Sequence, residues 1–252
     1  MLPGSWVKER SVRSPSLRRS LDRPRRGSRT IPWVTTRLVL VRHGSSEHHV
    51  HGIAGGPKGD TGLTDAGRSQ VQRAAARLAR WPGLVEAPVY TSTLPRAKET
   101  GDILADALGS TTVTEHCGLC SYHLLDRHDG HPHADAWATA RRGSGVTLFR
   151  PEHDGGDSWG QLVLRAGEAL HEIAERHHGE TVVIATHNET IQASMVVLGD
   201  KPFRGRLGVS VAPGSITEWA TDDDTTAGGP ADGWPFADWD LVRLNDTGHL
   251  EG

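Results

Sequence analysis

Short apolar runs, spaced by helical segments, set the architecture of the chain. "RLVLV" (37–41), "APVYTS" (87–92) and "TVVIAT" (181–186) are rich in Val, Ile and Leu and scarcely alternate with polar residues. That pattern predicts parallel strands covered on both faces. "SITEWA" (215–220) and "DLVRL" (240–244) alternate more and are expected to pair at the sheet's edge. "TDAGRSQVQRAAARLARW" places Val71, Ala74, Ala75 and Leu78 on one helix face behind Thr64 as N-cap. "TLPRAKETGDILADAL" opens on Thr93 as cap, with Pro95 in the first turn. Further helices are predicted from Ser158 to Gly179 and from just after His187 to Gly199. Strands alternating with helices predict an α/β fold, a three-layer αβα sandwich around a mostly parallel central sheet. Residues 115–157, rich in His, Asp and Gly, are expected to form a cap-like insertion over one end of that sheet, and 221–238 a long loop.

Composition narrows this picture. With 36% hydrophobic and 23% charged residues, the 252-residue chain reads as soluble and globular. Nothing approaches the ~18 consecutive apolar residues of a membrane span, so no membrane partner is expected. Two cysteines cannot staple a chain of this length, which favours a reducing, cytoplasmic setting. The net charge of −3 hides a basic tail: residues 1–30 carry nine Lys/Arg against Glu9 and Asp22. With six serines and three prolines, that tail is expected to be disordered, ahead of a domain over 31–252. It resembles a transit peptide in composition but lacks an amphipathic face. It is the chain's only foothold for nucleic acid, which is not an expected partner of the domain. No pattern specifies an oligomer.

The candidate chemistry lies at strand ends, where open parallel sheets bind ligands. Arg42-His43-Gly44 follows the first strand, Ser92-Thr93-Leu94-Pro95-Arg96 the second, and His187-Asn188-Glu189 the third. If these strands are neighbours, two arginines and two histidines converge. Arg42 and Arg96 offer planar donor forks suited to phosphate oxygens, and Arg96 lies in the first turn of a helix. His43 suits a nitrogen nucleophile and His187 a stabiliser of the transferring oxygens.

Five ordered segments carry a resemblance: "LVLVRHGSSE", "GLTDAGRSQVQ", "YTSTLPRAKETGDILA", "GGDSWGQLVLRAGEAL" and "TVVIATHNETI". Together they resemble the histidine phosphatase superfamily, the phosphoglycerate mutase-like branch 1. The resemblance implies a phosphoglycerate mutase-like fold, His43 as the phosphorylated nucleophile, and Arg42, Arg96 and His187 completing a phosphate pocket without metal or organic cofactor. Gly44 would let the backbone turn beneath the phosphate. His49 stands where the family often has Asn, and Asn188 where a glycine often follows the second histidine; both are candidate substrate-binding residues. Asn188 is equally readable as a helix cap.

The match breaks at the acid that should protonate the leaving oxygen. In "CGLCSYHLLDRHDG" (117–130), Ser121 occupies the family's glutamate slot. Glu115, Asp126 and Asp129 are nearby alternatives, of which Asp126 is the candidate acid. Without one, the enzyme would need a leaving group that departs unprotonated. Cys117, Cys120, His116 and His123 suggest a zinc site or a redox pair. Four ligands within eight residues would have to fold tightly, so the cysteines read as structural and no metal is expected. The reading is a phosphomonoesterase acting on a small phosphorylated metabolite through a phosphohistidine. Its alternatives are a phosphomutase and a non-catalytic phospholigand-binding domain.

Overall fold

The computed structural model describes residues 35–138, 148–149, 151, 156–199, 209–222 and 239–251. The basic tail and residues 223–238 of the expected loop lie outside the described residues, as does part of the 115–157 insertion.

Six strands form one sheet: β1 (Thr35–Arg42), β2 (Val89–Thr91), β3 (Val113–Glu115), β4 (Thr181–Thr186), β5 (Ile216–Asp222) and β6 (Asp240–Asp246), in the order β3-β2-β4-β1-β5-β6. The first four are mutually parallel, and β5 and β6 form an antiparallel pair at one edge, as the alternation in their sequences predicts. Strand β3 closes the other edge. It was not anticipated, because three partly polar residues carry too little pattern to read.

Alternate residues of β1 explain why its sequence is continuously apolar. Val39 and Val41 pack against α2 (Asp65–Leu78) and α3 (Pro95–Leu108), through Val71, Leu78 and Leu104. Leu38 and Leu40 pack on the opposite face, against Leu170 and Ile173 of α5 (Trp159–Arg176) and Ile191 of α6 (Asn188–Val197). All four β1 side chains are fully buried, each burial contributing about 1.5–3 kcal/mol. Two short helices, α1 (Glu47–Val50) and α4 (His133–Ala138), complete the described elements, with a 3₁₀ turn at Cys117–Leu119.

The caps follow the sequence at α2 and α5 and depart from it at α3. Thr64 accepts from the Gly67 amide, and Ser158 and Gln161 form a reciprocal capping box, each device contributing about 1 kcal/mol. At α3 the N-cap is Leu94 rather than Thr93, whose hydroxyl is drawn 3.2 Å from the Cys120 thiol instead. Among the described residues no helix is long and apolar enough to cross a membrane.

Candidate active site

Sheet register levels the three chemistry-bearing strand ends. Thr91, Ala185 and Val41 form one row across β2, β4 and β1. The next residues along each strand, 92–93, 186–187 and 42–43, therefore emerge side by side. The His43 and His187 rings lie 5.1 Å apart, and Arg96 Nε donates to His43 Nε2 over 3.2 Å. Convergence of the two arginines and two histidines is thus a direct consequence of strand order.

Hydrogen bonding fixes the state of His43. Its Nδ1 lies 2.7 Å from the Gly44 carbonyl, which can only accept, so Nδ1 carries the proton. Arg96 can only donate, so Nε2 presents its lone pair. Burial, reinforced by the charges of Arg96 and Arg42, holds His43 well below the ordinary imidazole pKa. It is therefore a neutral imidazole at neutral pH, with a lone pair on Nε2. His187 is likewise held well below its ordinary value, first by burial and then by Arg96. Its Nε2 is 2.7 Å from the Ser92 hydroxyl, while its buried Nδ1 has no protein partner. Arg42 donates to the Val211 carbonyl and keeps a buried Nε without a partner. Arg42 and His43 line a cavity of about 330 Å³ together with Ser45, Ser46, His49, Val50 and Pro213. His49 thus lies on the rim, where burial followed by the charge of Arg42 lowers its pKa. A larger, more open depression beside Pro57 and Lys98 contains neither histidine of the pocket.

Asp60 is a residue the sequence reading missed. Its fully buried carboxylate accepts from Arg96 Nη1 at 2.8 Å and from the Arg96 amide at 3.1 Å, locking that guanidinium against His43. The loop carrying Asp60 is itself pinned by Asp129, which accepts from the amides of Gly56, Lys58 and Gly59 at 2.7–2.9 Å. A lone acid within "GGPKGDTG" was the available signal.

Gly44 has a different reason from the expected one. An added Cβ there would stand 2.3 Å from the Gly67 carbonyl oxygen, so close packing against α2, and not a left-handed turn, demands glycine. Asn188 does not cap α6, whose N-cap is His187. Its Oδ1 accepts from the Val211 amide at 3.0 Å, and its Nδ2 lies 3.3 Å from Glu189 Oε1. It therefore ties the start of α6 to the segment that Arg42 also grips.

The three carboxylates considered as the acid are engaged elsewhere. Asp126 is 89% exposed and pairs with Lys58 at 3.0 Å, and no hydrogen bond or ion pair joins it to the pocket among the described residues. Glu115 pairs with Lys98, and Asp129 holds the loop just described. In contrast, Ser121, in the slot of the absent glutamate, donates at 3.0 Å to Glu189 Oε2. Burial lowers the Arg42 pKa and the Glu189 carboxylate opposes that shift, as it does at Arg96 alongside Asp60, so its field reaches both guanidiniums. A carboxylate therefore stands beside the acid slot, delivered by the first turn of α6.

A mostly parallel sheet thus presents a neutral histidine beside the guanidinium of Arg96, with Arg42 next to it in the chain. Residues 38–227 match the model of the histidine phosphatase superfamily (branch 1), and the chain belongs to that superfamily. Phosphoglycerate mutase-like protein 4 of Arabidopsis thaliana is 34% identical over 164 residues, 62% of this chain and 68% of that protein. The metal-independent phosphoserine phosphatase of Arabidopsis thaliana is 32% identical over 183 residues, 68% of this chain and 72% of its own length. Among solved structures, mycobacterial glucosyl-3-phosphoglycerate phosphatase complexed with VO3 aligns with a TM-score of 0.65 at 25% identity. That alignment covers 83% of this chain and 98% of that one.

Proposed function

We propose that this chain is a phosphomonoesterase that hydrolyses a small phosphorylated metabolite through a phosphohistidine on His43, with Glu189 as the proton donor. The observation that carries the reading is the fixed tautomer of His43, whose neutral Nε2 lone pair faces the Arg96 guanidinium. Arg42, Arg96 and the free Nδ1 of His187 surround the phosphoryl oxygens and offset their charge. His43 Nε2 attacks phosphorus in line as the ester P–O bond breaks. Glu189, entering this step protonated, gives its proton to the departing oxygen and becomes the carboxylate, while Ser121 and Asn188 position the group. In the second half, the Glu189 carboxylate takes a proton from water, which attacks the phosphohistidine. Inorganic phosphate leaves and His43 returns neutral.

The relatives include both phosphatases and mutases. Hydrolysis is the reading adopted, with a metal-independent phosphoserine phosphatase and a glucosyl-3-phosphoglycerate phosphatase among the similar proteins. The cavity of about 330 Å³ suits a small substrate. The reading is tested by incubating the full chain with labelled phosphomonoesters and assaying both free phosphate and protein-bound label. An acid-labile, alkali-stable phosphoenzyme and His43-dependent phosphate release are expected. Isomerised substrate with little free phosphate would make it a mutase, and neither signal would leave a binding domain.

A further inference from the structure

Outside the pocket, the 3₁₀ turn Cys117–Leu119 and the residues after it gather three soft donor atoms. Cys117 Sγ lies 3.3 Å from His123 Nε2, and these atoms and Cys120 Sγ all fall within 4.8 Å of one another. Tetrahedral Zn–S and Zn–N bonds of about 2.3 and 2.0 Å set ligand atoms roughly 3.5–3.8 Å apart, so the three already stand close to the edges of one coordination tetrahedron. The objection that the sequence raises, that such near neighbours must fold tightly, is met by the turn itself. It reverses the chain within one Cys-x-x-Cys step.

Two further features go beyond coincidence of spacing. The Asp157 carboxylate approaches His123 Nδ1 at 3.4 Å and accepts from the His123 amide at 3.1 Å. That leaves Nε2 turned toward the thiols, the arrangement in which a carboxylate orients a metal-binding imidazole. Arg165 of α5 donates to the carbonyls of Cys117, Gly118, Cys120 and Ser121 at 3.0–3.1 Å, and to Asp157 at 2.8 Å. One guanidinium therefore holds both the cysteine turn and the carboxylate behind the histidine.

We infer that Cys117, Cys120 and His123 form a binding site for a thiophilic divalent cation of the zinc type, oriented by Asp157. Cys117 is exposed, so solvent reaches the fourth position. The ion would link the turn to residue 123 across Ser121. The inference stands on these donors alone and is independent of the phosphatase reading.

The test uses the untagged full chain, reduced, stripped with chelator and titrated with Co²⁺ and then Zn²⁺. One Co²⁺ per chain is expected, with a near-ultraviolet thiolate-to-cobalt charge-transfer band and intense visible bands of a tetrahedral field, all displaced by Zn²⁺. Cys117→Ser changes an exposed residue and is expected to abolish the charge-transfer signature of the pair while preserving the far-UV circular dichroism. Asp157→Asn is expected to weaken affinity about 10- to 100-fold. His123→Ala provides a second exposed-site variant, expected to retain thiolate absorption at weakened affinity. Binding without the thiolate band would assign the ion to surface histidines and overturn the inference. So would failure of the reduced chain to bind Co²⁺, or a spectrum unchanged in Cys117→Ser.

Discussion

The pocket of Arg42, His43, Arg96 and His187 and the segment from Cys117 to His123 lie close together but are built on different principles. In the pocket, Arg42, His43 and His187 continue directly from buried parallel strands, so side-chain placement follows from backbone register. The neighbouring segment is a turn and loop held by side-chain bonds from Arg165, Thr186 and Thr190 to its carbonyls. There the family's acid slot contains Ser121, and a carboxylate reaches the same place from α6. The difference teaches that phosphoryl recognition requires several donors at fixed spacing, whereas a proton donor only has to reach one oxygen. The first requirement ties residues to strands; the second allows the acid to come from another element.

The sharpest way to break this comparison is to remove the nucleophile. His43→Ala should lower phosphate release by at least about 10³-fold and abolish the phosphoenzyme, measured by labelled turnover. Asp60→Asn probes the rigidity of the pocket. It leaves the Arg96 guanidinium buried without its counter-ion and should cost about 3–5 kcal/mol in denaturant unfolding.

The pocket's neutral histidines make a pH measurement informative. His43, His187 and His48, the buried residue of α1 nearby, have folded pKa values below the ordinary 6.5, His48 reaching about 3, chiefly through burial. Above pH 6.5 they contribute nothing to pH dependence. As pH falls below it, the unfolded chain takes up protons that the folded chain refuses. Stability should decline by about 1.4 kcal/mol per pH unit for each such group, read as the pH dependence of unfolding free energy. His187→Gln should flatten that slope by about one proton. Smallest of all, Asp126→Asn should leave turnover unchanged and alter stability by no more than about 1 kcal/mol, because its pair with Lys58 is exposed.

Much of the pocket was legible in sequence because "RLVLV" and "TVVIAT" are unambiguous strands and their polar termini share a rule of placement. The vacancy at Ser121 was legible too. The replacement we propose was not, since Glu189 lies 68 positions further along the chain and meets Ser121 only through the packing of α6. Asp60 was hidden for the same reason, 36 positions before the arginine it holds. The Cys-x-x-Cys spacing was visible, but whether His123 faces the thiols depends on a turn and on Asp157, which no local pattern encodes.

The central claim is that Glu189 performs the work of the missing glutamate, and leaving-group dependence tests it most directly. Turnover of full-length wild type and Glu189→Gln would be compared across phosphomonoesters from activated aryl to alkyl. Wild type should depend only weakly on leaving-group pKa. Glu189→Gln should approach wild type on the most activated aryl ester and fall by roughly 10²–10⁴-fold on alkyl esters. Parallel dependences in the two proteins would contradict the assignment and return the acid to another residue.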